Sequence, residues 1–140
     1  MLKEEIKYTD YNGDERTDVA YFNMTKLEAA KLNAKVGGDI EAYSKSLAAS
    51  NNLEQMLTFM QDLILDAYGK KSEDGKKFVK SEAIKEDFAN SAAFAQLFED
   101  FLEHPEKAKD FGVGLAQQAA SPKVNDKKEP SSSPKLSPLN

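Results

Sequence analysis

Between Leu53 and Tyr68, the residues Leu53, Met56, Leu57, Met60, Leu63, Ile64, Ala67 and Tyr68 recur at the i, i+3, i+4, i+7 spacing of one helical face. A stripe this broad belongs at the centre of a core, so the rest of the chain has to supply apolar elements to cover it. Asn52 is placed to cap the start of this helix, and Gly69 reads as the C′ residue that ends it. With 140 residues, the chain has room for one domain around such a helix.

The covering elements are mostly helical too. Thr25-Lys26-Leu27-Glu28 is a capping box, and the helix it opens should stop near Gly37-Gly38. A second helix, about 39–49, carries Ile40, Tyr43 and Leu47 at helical spacing. Residues 70–80 form a charged loop turning at Gly75, with a short extended piece at Phe78-Val79. Ser81 can cap a helix running through Phe88, and Ser91 another. In the latter, Phe94, Leu97, Phe98, Phe101 and Leu102 make a second continuous stripe. His104-Pro105 breaks it and starts a last helix, about 105–117, presenting Ala108, Phe111 and Leu115.

The first 22 residues follow a different period. LKEEIKYT places Leu2, Glu4, Ile6 and Tyr8 on one face if extended, and ERTDVAYF alternates in the same way. Asn12-Gly13 between them suits a tight turn, so a β-hairpin occupying about 1–24 is expected. A lone hairpin is marginal in water and has to pack on the helices or on a partner. The expected fold is mainly α: this hairpin followed by a bundle of about five short helices.

From Gln118 the composition changes. The last stretch, 118–140, holds four of the five prolines and no aromatic residue, and it is expected to be a disordered Ser/Pro/Lys-rich tail beyond a 1–117 body. The chain carries −5 and this tail +2 (four Lys against Asp126 and Glu129), which leaves the body at −7. Such a charge disfavours non-specific binding to nucleic acid or to an anionic membrane. The longest run of large apolar residues, Leu63-Ile64-Leu65, is far short of the roughly 20 needed to span a bilayer. MLKEEIKYTD lacks an apolar signal-peptide core, so a soluble, intracellular protein is expected.

Catalytic and metal signatures find no support. Without Cys there is no disulfide framework or thiolate metal site. The one histidine, His104, sits at a helix junction with no orienting partner in view and reads as solvent-exposed. Asp10-Tyr11-Asn12-Gly13-Asp14 opens like a calcium loop, but Glu15 and Tyr21 stand where such a loop needs its glycine and its bidentate glutamate. Gly37-Gly38 and Gly112-Val113-Gly114 lack the context of a phosphate loop. The expectation is a binding protein rather than an enzyme, with no cofactor and no metal.

Surface therefore has to carry the function. Either the stripes at 53–68 and 91–102 pack wholly on each other, or part of them forms a groove for a partner segment or a self-association face. The candidate partner-binding residues are Phe94, Leu97, Phe98, Phe101, Met56 and Met60.

Taken together, the chain resembles the tail assembly chaperones of long-tailed, siphovirus-type phages of Gram-positive bacteria, from Ile6 to about Leu115. The resemblance rests on Ile6-Lys7-Tyr8-Thr9-Asp10-Tyr11-Asn12-Gly13 with Tyr21-Phe22-Asn23-Met24-Thr25-Lys26, and on Phe88-Ala89-Asn90-Ser91-Ala92-Ala93-Phe94 with Leu97-Phe98. Its most specific part is Leu65-Asp66-Ala67-Tyr68-Gly69-Lys70-Lys71-Ser72-Glu73-Asp74-Gly75-Lys76-Lys77-Phe78-Val79-Lys80-Ser81. The resemblance implies a helical protein of the host cytoplasm, absent from the mature virion. It implies a coat on the tape measure protein and recruitment of major tail tube subunits through a longer product of programmed ribosomal frameshifting. This chain would be the shorter form, with Ser121-Pro122-Lys123, Ser133-Pro134-Lys135 or Lys127-Lys128 as slippage sites. The rival expectations are a small structural tail or connector protein of the virion and a generic helical adaptor.

Overall fold

The hairpin forms with an unbroken antiparallel register. Strand β1 (Leu2–Thr9) pairs with β2 (Glu15–Phe22) from Leu2↔Phe22 to Thr9↔Glu15. Ile6, Ala20 and Phe22 are buried on the inner face, while Lys3, Glu5, Lys7, Thr17 and Val19 are exposed on the outer one. The connection is wider than a two-residue Asn-Gly turn: Gly13 takes φ +88° and donates to Asp10 O at 3.0 Å, while Asn12 keeps a negative φ. The Asp10 side chain explains this, because its Oδ1 accepts from Asn12 N–H and Asp14 N–H, both at 2.9 Å. Arg16 Nε donates to its Oδ2 at 2.6 Å, and chiefly that bond holds the carboxyl below the usual aspartate range.

In this computed structural model, which describes residues 1–120, six helices and two further strands follow. They are α1 (Lys26–Lys35), α2 (Ile40–Ser50), α3 (Leu53–Ala67), β3 (Tyr68–Lys71), β4 (Phe78–Val79), α4 (Glu82–Ala89), α5 (Ala92–Glu103) and α6 (Pro105–Ala120). The expected class, mainly α with an N-terminal hairpin, is the one adopted. Every side chain expected to cap a helix does so: Thr25 with Glu28 in a reciprocal capping box, Asn52 on Gln55 N–H, Ser81 on Ile84 N–H and Ser91 on Phe94 N–H. The proline-led last helix continues to Ala120, three residues past the expected 117. Gln118 lies within it and accepts from Met24 N–H at 3.2 Å. The remainder of the expected tail, with its Ser-Pro-Lys and Lys-Lys sites, lies outside the described residues.

Gly69 does not act as a left-handed helix terminus. Helix α3 ends at Ala67, Tyr68 is already extended, and the chain runs directly into β3, which pairs with β2 at Tyr21↔Gly69 and Phe22↔Tyr68. Glycine is required here for another reason: a Cβ at this position would lie 2.5 Å from Phe78 Cε2 and 2.8 Å from Val79 O. The charged loop closes through Ser72, whose N–H donates to Lys77 O at 2.9 Å, and Gly75 takes φ +76° within it. Lys70 and Lys71 then pair with β4, so the hairpin becomes one half of a four-stranded antiparallel sheet ordered β1-β2-β3-β4.

The helices close over the inner face of this sheet. Phe22, fully buried, is the hub: it meets Tyr68, Phe88 and Phe111 edge-to-face with centroids 5.8, 6.1 and 5.0 Å away. Tyr68 stacks on Phe88 at 3.9 Å, and Phe88 passes the chain of rings on to Phe94 at 5.4 Å. Ile6, Ile64, Ala67, Leu97, Phe101 and Leu115 complete the same cluster. Each such aromatic contact adds about 0.5–1.5 kcal/mol to the burial of the ring itself.

Candidate partner-binding site

Helix α3 serves two environments. Its C-terminal half, Ile64, Leu65 and Ala67, is buried in the core. Its N-terminal half extends past that core and packs on α2, with Tyr43 against Phe59 at 5.2 Å and Leu47 the buried side chain of α2. None of Leu47, Tyr43, Leu53, Met56, Leu57 or Phe59 belongs to the core cluster. The hinge is local: Asn51 takes the left-handed conformation (φ 60°), and Asn52 accepts from Gln55 N–H at 3.1 Å to start α3. The product is an αα-hairpin arm with one thin apolar layer. On it Leu53 is 65% exposed, and Met56, Leu57, Phe59 and Met60 are half-buried.

The six candidate residues therefore separate. Phe94, Leu97 and Phe101 are buried under the sheet and belong to the core, because α5 lies directly against β1 and α6. In the folded chain these three face the core, which is the covered alternative for the α5 stripe. Phe98 is half-buried, tilted against Phe94 at 5.9 Å, with the half-exposed Leu102 one turn on. Met56 and Met60 lie on the arm, Met60 also touching the edge of the core. The arm as a unit was not legible in the sequence, although Tyr43 and Phe59 at helical spacing on consecutive segments were its trace.

A concavity of about 340 Å³ opens between α1 and the packed ends of α3 and α4. Met24, Leu32, Leu65 and Tyr68 line it, within a rim that includes Glu28, Lys31, Lys35, Asp66, Lys80 and Lys85. Lys80 Nζ donates to Asn23 O and to Glu28 Oε2, both at 2.8 Å, tying the start of α1 to the β4–α4 junction. Burial alone would push the Glu28 carboxyl up, but Lys80 and the Thr25 N–H outweigh it and hold the group below the usual glutamate range. Lys85 donates to Asp66 at 2.7 Å, and that bond raises its pKa. These paired charges fasten elements together.

His104 is exposed at the α5–α6 junction, 3.6 Å from Glu106. Among the described residues, no group of three or more His, Cys, Asp or Glu side chains is placed to hold a metal ion, and no helix is long and apolar enough to cross a membrane.

No curated protein and no solved structure matches the chain. A family model does: the one described as phage tail assembly chaperone matches residues 1–135. Since that match takes in the hairpin, the arm and every helix of the body, the protein belongs to the family of phage tail assembly chaperones.

Proposed function

We propose that this chaperone binds the tape measure protein in the host cytoplasm, holding helical segments of it on the α2–α3 arm, and that it acts by binding rather than by catalysis. The observation that carries this reading is the arm's position outside the core, with Leu53 65% exposed beside the half-buried Met56, Leu57 and Met60. An amphipathic helix laid along such a row would complete the layer that α2 covers only on one side. Methionine suits a surface that has to accept many segments, because its unbranched thioether adapts to irregular partners. A body at −7 keeps the apolar row soluble before it is filled.

In the same reading the protein leaves before the virion matures, and a longer frameshifted form brings tail tube subunits to the coated tape measure. A slippery heptamer with an overlapping frame in the gene region encoding 121–135 supports the longer form, and a gene without one rules it out. Stoichiometric amounts of the chain in purified virions would exclude departure before maturation.

Co-expression with tape measure fragments, followed by pull-down and sizing, tests the arm. Leu53→Glu and Met56→Glu should abolish capture while helical content stays near that of the unaltered chain. Capture that survives both substitutions sinks the assignment. Phe98→Asp is the contrasting variant: its ring packs on Phe94, so the new charge should lower stability before it reports on binding.

A further inference from the structure

The outer edge of β1 is unpaired among the described residues, since β1 is the terminal strand of the sheet. The hydrogen bond from Asp10 N–H to Asp14 O, 2.8 Å, fixes the phase of the ladder. With the register summing to 24, Leu2, Glu4, Ile6 and Tyr8 exchange backbone bonds with β2. Lys3, Glu5, Lys7 and Thr9 consequently direct their N–H and C=O groups away from the sheet, and all four side chains are exposed. Natural edges of this kind are usually short, bulged or interrupted by proline. This one runs the whole of Leu2–Thr9 with no bulge and no proline.

Lysine on an edge ordinarily guards it against pairing. Here the exposed row reads Lys3, Glu5, Lys7, and its alternating signs make one pairing with itself favourable. Antiparallel pairing centred on Glu5 would oppose Glu5 to Glu5 and Lys3 to Lys7, all like charges. Centring on Lys7 opposes Lys7 to Lys7. Centring on Glu4 opposes Lys3 to Glu5 twice, but it sets two half-buried Glu4 carboxyls face to face and leaves Thr9 without a partner. Centring on Ile6 opposes Glu5 to Lys7 twice, Lys3 to Thr9 twice, Glu4 to Tyr8 twice and Ile6 to Ile6, with no like charges face to face. In that register all four outward-facing residues find backbone partners.

We propose that two copies of this chain associate through their β1 edges, antiparallel and centred on Ile6, joining two four-stranded sheets into one of eight strands. The pairing uses backbone groups and the Glu5–Lys7 pairs and leaves both α2–α3 arms free, so it stands independently of what the arms bind.

Sedimentation velocity of the full chain across a wide concentration range should show a monomer–dimer equilibrium. Glu5→Lys replaces two opposite-sign pairs by like-sign ones and should weaken it on the order of tenfold. Glu5→Lys/Lys7→Glu should restore it. Glu5→Pro removes an outward N–H without breaking a bond to β2, so it should leave a folded monomer. Because the chain has no cysteine, the register can be read directly. A mixture of Glu5→Cys and Lys7→Cys chains should cross-link across a hydrogen-bonded pair, where Cα atoms lie about 5.5 Å apart. Either variant alone should not. A monomer at every concentration, a dimer indifferent to Glu5→Lys and Glu5→Pro, or cross-linking by one variant alone as readily as by the mixture would overturn the proposal.

Discussion

Helix α3 offers an internal control, because one stripe of it is divided between core and arm. Ile64 is 1% exposed and Leu53 is 65% exposed, although both occupy the same helical face. Ile64→Ala removes buried methyl groups from the core cluster, at a cost of about 3–4 kcal/mol. A fully buried leucine gains about 1.5–3 kcal/mol from burial, so Leu53, with about a third of its surface covered, stands to lose only about 0.5–1 kcal/mol. The better helix propensity of alanine offsets part of even that. With a urea slope of about 1.5 kcal/mol/M, Ile64→Ala should lower the unfolding midpoint by about 2 M and Leu53→Ala by about 0.5 M or less. Tape measure capture should move the opposite way, falling for Leu53→Ala and persisting for Ile64→Ala at temperatures where that variant stays folded.

Hydrogen exchange would check the same division without mutation. The amides of α2 are held by one thin layer against α3, so they should exchange through local opening, well ahead of those in α5. If Leu53→Ala costs as much as Ile64→Ala, or α2 is protected as strongly as α5, the arm is part of the core and offers no docking surface.

Phe22→Ala empties the point where three edge-to-face contacts converge and should cost about 4–5 kcal/mol, lowering Tm by roughly 15–20 °C in a scanning calorimeter. A drop under about 5 °C would show that the ring is not the hub. Gly69→Ala drives a Cβ into Phe78 and the Val79 carbonyl and should cost about 1–3 kcal/mol, with the loss of β4 amide protection preceding that of β1. A neutral outcome in chemical denaturation contradicts the close approach of β3 and β4. Glu28 has a lowered folded-state pKa, so its contribution is present above the unfolded glutamate value and is lost as pH falls through the folded one. Glu28→Gln should accordingly be less stable near pH 7 and converge with the unaltered chain as acid is added. A stability gap that stays constant across the titration would show that Lys80 and the Thr25 N–H do not favour the ionised form.

What could be read from the sequence divides by distance along the chain. Thr25 with Glu28, Asn52 with Gln55, Ser81 with Ile84 and Ser91 with Phe94 are contacts within one turn, so each cap was visible in a few letters. Gly69 misled because a glycine after an apolar helix matches a local rule, whereas its actual constraint comes from Phe78 across a strand pair. The Lys80 clamp on Asn23 and Glu28 and the Gln118 contact with Met24 join residues dozens of positions apart, and no local pattern announces them. The six candidate contact residues show the same boundary. Periodicity measures the width of a stripe, and the stripes on α3 and α5 are similarly wide. Which is covered depends on where β1 lies, and β1 lies on α5 because Ile6 and Phe22 need the ring cluster that α5 continues through Phe94. With the sheet on α5 and the end of α3, the beginning of α3 packs on α2, a helix with one buried side chain. An exposed arm is thus a consequence of how the apolar residues are apportioned: most of the aromatics lie in one dense core, and the arm keeps only the thin layer that Tyr43 and Phe59 share.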